Sequence, residues 1–280
     1  MKAPDFDYAR PSSLQEALAL LAAGEGGAQP LAGGQSLMPM LNFRISTPEM
    51  LVDLSGLPEL RGLEQTPQGL RIGAMTRYCE LEAFPDLAKI QPLVAAALPH
   101  IAHDAIRNRG TIGGSVALAD PAAEMPAILL ALGAVISLDG PNGPRDVAAD
   151  DYFLGYYETA CEPDELITSI LLPKIEPGDS FGFHELVQRH GDYAMAGVAI
   201  RSSGIAPLAG LRIGFFGVAD RALRVTALED ALNGTDGTDI AGALSHLSEI
   251  DFQGDTKITA ETRAHYAGVA LKRALKEMLT

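Results

Sequence analysis

The chain has 280 residues, 47% of them hydrophobic and 20% charged, which is typical of a folded protein with a sizeable core. Its formal net charge of −15 argues against nucleic-acid binding, because phosphate backbones are held by clustered lysine and arginine. The longest apolar stretch, 125–138, is too short to cross a bilayer, and the N-terminus lacks the apolar core of a signal peptide. We therefore expect a cytoplasmic protein without a membrane span or a nucleic-acid partner.

Helix and strand signals alternate through the first 105 residues. Ser13 and Glu16 have the spacing of a capping box, and Gly24 ends the apolar helix that follows them. Short apolar runs bounded by glycine or proline indicate strands. The predicted elements are, in chain order, a helix over 14–24, strands over 30–32, 50–54 and 69–74, and helices over 76–84 and 92–105.

The pattern changes after a linker-like stretch at 173–178. Before it, the sequence predicts a helix over 126–132 and strands over 134–138 and 165–172. Beyond it, strands over 180–187, 195–201 and 208–218 are joined by polar or glycine turns, and helices follow at 225–232 and 259–279. This order indicates a domain boundary near residue 177 and a second α+β domain with an antiparallel sheet.

Two similar glycine-rich segments are the most informative feature. Segment 31–37 reads LAGGQSL and segment 111–116 reads TIGGSV. Adjacent glycines let the backbone take positive φ and turn its amides inward, which makes a concave site for an anion. Either segment alone is more often a tight turn. Together, in a chain without the glycine spacing of a Rossmann or Walker site, they indicate one split pyrophosphate site.

The residues around these two segments resemble a known family. The runs 31–44 (LAGGQSLMPMLNFR) and 106–132 (IRNRGTIGGSVALADPAAEMPAILLAL) are similar to the FAD-binding medium subunit of the carbon monoxide dehydrogenase group. That group belongs to the molybdenum hydroxylases, the xanthine oxidase family. The resemblance extends over nearly the whole chain, and it implies an α+β fold with a FAD-binding domain of the p-cresol methylhydroxylase type.

The resemblance also implies a domain organisation. The FAD-binding domain would cover 1–176, as two subdomains at about 1–56 and 57–176, with FAD between them. A C-terminal α+β domain of the carbon monoxide dehydrogenase flavoprotein type, with an antiparallel sheet, would cover 177–280 and lie over one side of the flavin.

Sixteen residues are candidates for contact with FAD. Those of the two glycine segments follow from the anion-site argument, and the others from the resemblance. The candidates are Ala32, Gly33, Gly34, Gln35, Ser36, Leu37, Ile101, Thr111, Gly113, Gly114, Ser115, Ala119, Glu124, Leu166, Arg189 and Tyr193.

The candidates outside the glycine segments have different expected roles. Ile101 would lie beside the isoalloxazine ring, and Tyr193 would stack on it. Arg189 would orient the flavin or the domain, and Leu166 would contribute backbone contacts. Glu124 is the preferred acidic contact.

Neighbouring polar residues allow two interpretations each. Asp120 is either a second acidic contact or the cap of a turn at Pro121. Arg107 and Arg109 either clamp a phosphate or position the glycine segment that follows. His103 is more often structural than a catalytic base.

The chain carries no recognisable set of residues for catalysis or metal binding of its own. Two cysteines are too few for an iron–sulfur cluster, which normally needs four thiolates, and the six histidines lack the spacing of a zinc site. We therefore expect no catalytic residue and no metal ligand in this chain.

The resemblance implies an oxidoreductase subunit that transfers electrons. A large partner would carry the molybdenum cofactor, and a small partner two [2Fe–2S] clusters, in a dimer of heterotrimers. FAD would pass electrons from the clusters to an external acceptor. Two alternatives remain, a free-standing FAD oxidase of the same fold and a flavin-free scaffold subunit. The sequence names neither the substrate of the complex nor its acceptor.

Overall fold

The computed structural model describes residues 2–280, and its first 56 residues contain a small parallel sheet. Its strands are β1 (Asp7–Ala9), β2 (Ala28–Leu31) and β3 (Met50–Asp53), in the order β1-β3-β2. Two helices connect them, α1 (Leu14–Ala23) and α2 (Leu37–Asn42). The hydroxyl of Ser13 caps α1 by accepting from the Glu16 amide. Because the strands run parallel, β2 and β3 end at the same edge, and the first glycine segment leaves from that edge.

A five-stranded antiparallel sheet follows, in the order β4-β5-β10-β6-β7. Its strands are β4 (Leu63–Thr66), β5 (Gly69–Gly73), β6 (Val135–Asp139), β7 (Arg145–Ala148) and β10 (Leu166–Pro173). Short elements lie between them along the chain: α3 (Tyr78–Glu82), α4 (Leu87–Ile90), α5 (Pro92–Ala97), α6 (Asp104–Arg107), α7 (Ile112–Leu118), α8 (Glu124–Leu132), α9 (Ala149–Tyr152), β8 (Phe153–Gly155) and β9 (Glu158–Thr159). Strands β4 and β7, the polar edge strands of this sheet, are not predicted from the sequence.

The helix predicted over 92–105 is wrong in its length. It divides into α5, a 3₁₀ turn at Leu98–His100 and α6. Pro99 lacks the amide that an α-helix needs at this point, and Ala102 has a φ of +47°. The resulting bend brings Ile101 to the cleft described below.

The C-terminal part contains a four-stranded antiparallel sheet covered by one long helix. The strands are β11 (Ser180–Leu186), β12 (Ala196–Ser202), β15 (Arg212–Phe216) and β16 (Leu223–Arg224), with the small hairpin β13 (Gly204–Ile205) and β14 (Leu208–Ala209) beside them. The helices are α10 (Thr226–Leu232) and α11 (Ala260–Leu279). The apolar face of α11 packs on this sheet; a Cβ on Gly182 would overlap the carbonyl oxygen of Ala274.

The strand predicted over 208–218 is also wrong in its length. It divides into β14 and β15, which belong to different sheets. Gly210, between them, has a φ of +52°, which interrupts an extended strand.

Helix α8 joins the C-terminal sheet to the rest of the molecule. All nine of its residues are buried. It contributes to one apolar core that also contains side chains of the five-stranded sheet and of β12. Gly214 of β15 allows α8 to pack closely on the C-terminal sheet, since a Cβ there would overlap the carbonyl oxygen of Ala127. Among the helices of residues 2–280, none is long and apolar enough to span a membrane.

Candidate functional site

A cleft of about 940 Å³ lies between the parallel sheet and the five-stranded sheet. Segments from all three parts of the fold line it. Most of the lining comes from 26–37, 74–78, 101–124, 157–167 and 191–193, each with some residues turned away from the cleft. A cavity of this size fits an extended ligand of several ring systems rather than a single small metabolite.

The first glycine segment connects β2 to α2 and forms one wall of the cleft. None of the five successive amides from Gly33 to Leu37 donates a hydrogen bond to an acceptor within residues 2–280. Gly34 has a φ of +71°, which gives this segment the inward-turned backbone expected of an anion site. The Gln35 side chain donates to the Gly33 carbonyl oxygen (3.0 Å). That oxygen therefore already accepts a hydrogen bond when an anion approaches.

The second glycine segment has a different structure from the one that the sequence predicts. It is the first turn of α7, and neither Gly113 nor Gly114 has a positive φ. Its amides are already bonded: that of Gly113 to the Ala74 carbonyl oxygen (2.9 Å), and that of Gly114 to Thr111 Oγ1 (3.1 Å). Thr111 and Ser115 line the cleft, so the segment offers hydroxyl groups there but no row of free amides.

The glycines of both segments allow close packing. A Cβ on Gly113 would lie 2.6 Å from the Ala74 Cβ. One on Gly114 would lie 2.9 Å from Thr111 Oγ1 and 3.5 Å from the Ala32 Cβ of the first segment. A Cβ on Gly33 would overlap the carbonyl oxygen of Arg109. The two glycine segments thus lie against each other.

Acidic residues outnumber basic ones around the cleft. Among the described residues, its lining includes no lysine or arginine, whereas five acidic residues reach it. These are Asp120, Glu124, Glu162, Glu165 and Asp192. An anion in this cleft would therefore depend on neutral amide and hydroxyl donors.

Fourteen of the sixteen candidate residues line the cleft, and Ala119 and Arg189 do not. Ala119 is buried behind it, in the left-handed position that ends α7. Arg189 lies exposed on the turn between β11 and β12. The turn brings Gly191 and Tyr193 to the cleft and leaves the Arg189 side chain outside, which sequence spacing alone does not reveal.

Apolar and aromatic residues also line the cleft. Ile101, Leu166 and Tyr193 all reach it, and Tyr193 keeps 67% of its surface exposed. Sequence reasoning missed Tyr78, whose hydroxyl is buried without a hydrogen-bond partner among residues 2–280. Nothing in its local spacing marks it; its amide donates to the Gly110 carbonyl oxygen (3.1 Å), which holds it beside the second glycine segment.

Asp120 lies between two tyrosines at the open side of the cleft. It accepts from the Ala122 amide (2.9 Å), as a turn-capping residue does, and from the Tyr157 hydroxyl (3.4 Å). Desolvation in the cleft, together with the Asp120 carboxylate, raises the pKa of Tyr157 and of Tyr193 to about 12. Both phenols are therefore neutral at physiological pH.

Glu124 is the first residue of α8 and is 7% exposed. Burial raises the pKa of this carboxyl group to about 7, because a charged carboxylate is poorly solvated there. The nearby Glu185 carboxylate acts in the same direction. Glu124 is thus poised to exchange a proton close to neutral pH.

Two family models match the chain, and together they cover most of it. Residues 4–175 match the FAD binding domain in molybdopterin dehydrogenase. Residues 181–278 match the carbon monoxide dehydrogenase flavoprotein C-terminal domain. The chain belongs to the FAD-binding medium subunits of the molybdenum hydroxylases.

Individual medium subunits are similar over almost their whole length. The carbon monoxide dehydrogenase medium chain of Hydrogenophaga pseudoflava is 39% identical, over 97% of this chain and 96% of that protein. The nicotine 6-hydroxylase medium subunit of Paenarthrobacter nicotinovorans is 38% identical, over 89% and 91%. A solved carbon monoxide dehydrogenase from Hydrogenophaga pseudoflava superposes with a TM-score of 0.96 at 38% identity, covering 99% of this chain and 98% of that one.

Membership of the medium-subunit family confirms three predictions made from the sequence: the family itself, the α+β fold, and FAD as the cofactor. The chain is an oxidoreductase subunit. The cleft fits FAD on independent structural grounds, since it offers five unpaired amides for a pyrophosphate and an unpartnered, buried Tyr78 hydroxyl beside an apolar wall.

Proposed function

We propose that this medium subunit passes electrons from the [2Fe–2S] clusters of a small partner, through FAD, to an external acceptor. The observation that carries the proposal is the row of five unpaired amides from Gly33 to Leu37, in a segment that lines the cleft together with apolar and aromatic side chains. Two cysteines, Cys79 and Cys161, are too few to hold a cluster, which supports a supply of electrons from another chain.

The proposed position of FAD follows from the donors in the cleft. The pyrophosphate would lie against the Gly33–Leu37 amides, with the hydroxyls of Ser36, Thr111 and Ser115 as further donors. Ala32 would add main-chain contacts near the start of the first segment, across from the Gly113–Gly114 pair. Bound FAD supplies the redox chemistry, and the protein binds it, orients it and excludes water from it.

The flavin ring would lie against the apolar and aromatic side chains of the cleft. Ile101 and the backbone around Leu166 would form its floor, and Tyr193 would cover its open face. Glu124 would accept a hydrogen bond from a ribityl or ribose hydroxyl. Because Ala119 and Arg189 lie outside the cleft, we leave both out of this proposal.

The domain division that we propose is 1–56, 57–176 and 177–280. The parallel sheet ends at Asp53, before the first boundary. The five-stranded sheet runs from Leu63 to Pro173 between the two boundaries, and the four-stranded sheet begins at Ser180 after the second.

The partners that we propose are a large subunit with the molybdenum cofactor and the small cluster-carrying subunit, in a dimer of heterotrimers in the cytoplasm. Relatives named as medium subunits or medium chains support a complex of several chains. Their names include nicotine and carbon monoxide, although they are 38% and 39% identical to this chain. Because medium subunits that are this similar to one chain are named for such different substrates, we propose that the large subunit selects the substrate.

Purification of the full chain, alone and with its partner subunits, tests the proposal. A yellow protein with a flavin absorption band and one FAD per chain is expected. The substrate of the complex should reduce the flavin only when the partners are present. Reduction of the isolated chain by a substrate would instead indicate a free-standing oxidase. A complex that assembles fully and contains no FAD would indicate a scaffold subunit.

A further inference from the structure

The segment 101–110 contacts three separate parts of the site. Ile101 lines the cleft itself. The Arg109 carbonyl oxygen packs directly on Gly33 of the first glycine segment. At the other end of the segment, Ala102 and His103 pack on Gly191, on the turn that carries Tyr193: a Cβ on Gly191 would lie 2.5 Å from the His103 ring and 2.7 Å from the Ala102 carbonyl oxygen.

One residue of this segment has an unfavourable backbone conformation. Ala102 has a φ of +47°, in the left-handed region that an alanine side chain disfavours. Helix α6, which follows, has only four residues and cannot fix the turn by itself. A further interaction is needed to keep the Ile101–His103 turn in place.

Arg107 supplies that interaction through its side chain. Its Nη1 donates to the carbonyl oxygen of Ile101 (3.0 Å) and to that of Ala102 (3.3 Å). Its Nη2 is paired with the Asp104 carboxylate, and its Nε lies 3.5 Å from Glu82 Oε2 of helix α3. The side chain is 9% exposed and does not line the cleft. A planar guanidinium is suited to bond two carbonyls and a carboxylate at once.

We propose that Arg107 is a positioning residue of the flavin site. It fixes the Ile101–His103 turn, and through the packing of that turn on Gly191 it sets where Tyr193 lies over the cleft. This inference rests on the proposed binding of FAD in the cleft. It gives the two neighbouring arginines unequal roles, with Arg107 acting through its side chain and Arg109 contacting Gly33 through its carbonyl oxygen.

The test compares Arg107→Ala, Arg107→Lys and wild type in the complex purified through this chain. We expect Arg107→Ala to weaken FAD binding about tenfold or more, and to change the visible circular dichroism of the flavin even when FAD is saturating. Arg107→Lys should recover part of both effects, because one ammonium group can bond the Ile101 carbonyl but not all partners together. An unchanged affinity and an unchanged flavin spectrum in Arg107→Ala would overturn the inference.

The matched control is Arg201→Ala. Arg201 is also a largely buried arginine that bonds a main-chain carbonyl, that of Leu132 (3.3 Å), and a carboxylate, that of Asp179 (2.9 Å), but it does not line the cleft. The variant should lose thermal stability without any change in the flavin spectrum. An equal spectral change in Arg201→Ala would overturn the specific role of Arg107, since loss of any buried arginine would then suffice.

Gly191→Ala tests the second contact of the turn if Arg107→Ala does not fold. Alanine is disfavoured at the Gly191 φ of +80°, and its Cβ would also meet the His103 ring, so the Tyr193 turn should move and produce the same spectral change with Arg107 intact. A wild-type flavin spectrum in this variant would contradict the coupling between the two turns. Failure of the proposed FAD binding itself has a different result, since the wild-type complex would then contain no FAD.

Discussion

Gly33 lies directly on the main-chain carbonyl oxygen of Arg109, with no space between them for a Cβ. The two residues are far apart in the sequence, and their contact brings the first glycine segment against the chain just before the second. The first segment provides free amides, and the second provides the hydroxyls of Thr111 and Ser115. The site thus depends on how closely the two segments approach each other.

Gly33→Ala should separate the segments. The added methyl group would overlap the Arg109 carbonyl oxygen, and such overpacking costs about 1–3 kcal/mol. We expect a loss of stability of that size in urea unfolding, and FAD binding weakened about tenfold or more in a fluorescence titration. Gly242→Ala is the control: nothing lies within 4 Å of a Cβ there, and its φ of −64° suits alanine. A variant at Gly33 that behaves like this control would contradict the packing role of Gly33.

Thr111→Val removes the hydroxyl that caps α7. Its Oγ1 accepts from the Gly114 amide at 3.1 Å, and loss of an N-cap costs about 1 kcal/mol. The matched control is Thr259→Val, which removes the same cap from α11, where Oγ1 accepts from the Thr262 amide at 3.2 Å. Both variants should lose similar stability in urea, but only Thr111→Val should weaken FAD binding. Equal FAD affinity in both would remove Thr111 from the site.

Tyr193→Ala should uncover the flavin. We expect the variant to keep FAD, with a shifted flavin potential and more efficient quenching of flavin fluorescence by iodide. Tyr193→Phe should behave like wild type, because stacking needs the ring and not the hydroxyl. Tyr157→Phe, which removes the hydroxyl that bonds Asp120, is the control for the hydroxyl groups. Identical quenching in Tyr193→Ala and wild type would place the ring elsewhere.

Glu124→Gln should change how stability depends on pH. The pKa of Glu124 in the folded chain is about 7, above its ordinary value of 4.5, so between these values the folded state holds a proton that the unfolded state has lost. Its contribution to stability is therefore full below pH 4.5 and declines as pH rises to 7. In the FAD-free chain, the free energy of unfolding of Glu124→Gln should equal that of wild type near pH 4.5. At about pH 8 it should be higher than that of wild type, by on the order of 3 kcal/mol. A pH-independent difference in urea unfolding would contradict the raised pKa.

The sequence predicts the outline of this site because the signals for it are short, local patterns. Adjacent glycines beside serine and threonine are visible in any window of six residues, and the amphipathic face of α1 or α11 repeats along the chain. The resemblance then adds FAD and the overall fold. Both kinds of signal depend on residues that are close in sequence.

The sequence fails where long-range contacts decide the structure. Gly113 and Gly114 look like an anion loop, yet the carbonyl oxygens of Thr76 and Ala74 accept the amides of Ile112 and Gly113, and the segment becomes a helix end. The position of Tyr78 also depends on a long-range contact. A β-bridge between Arg77 and Thr111 places Tyr78 beside the cleft.

The position of Arg189 outside the cleft could not be predicted for a related reason. It precedes Tyr193 by four positions in one turn, and it lies outside the cleft that Tyr193 lines. Spacing along a turn does not show on which side each side chain emerges, because the direction depends on the backbone conformation of every residue between them. Gly191, with a φ of +80°, is one of those residues.

The absence of lysine and arginine from the cleft lining, within the part of the chain that the structure describes, has a consequence for the salt dependence of FAD binding. A phosphate held by basic side chains loses affinity as salt rises, because ions screen the attraction. Here an anionic ligand enters a chain of net charge −15, and added salt screens a repulsion instead, over about 8 Å at physiological ionic strength. FAD affinity of the isolated chain should therefore hold steady or rise with salt, which fluorescence titrations at several salt concentrations measure. A steep fall would show that cations elsewhere on the chain hold the pyrophosphate.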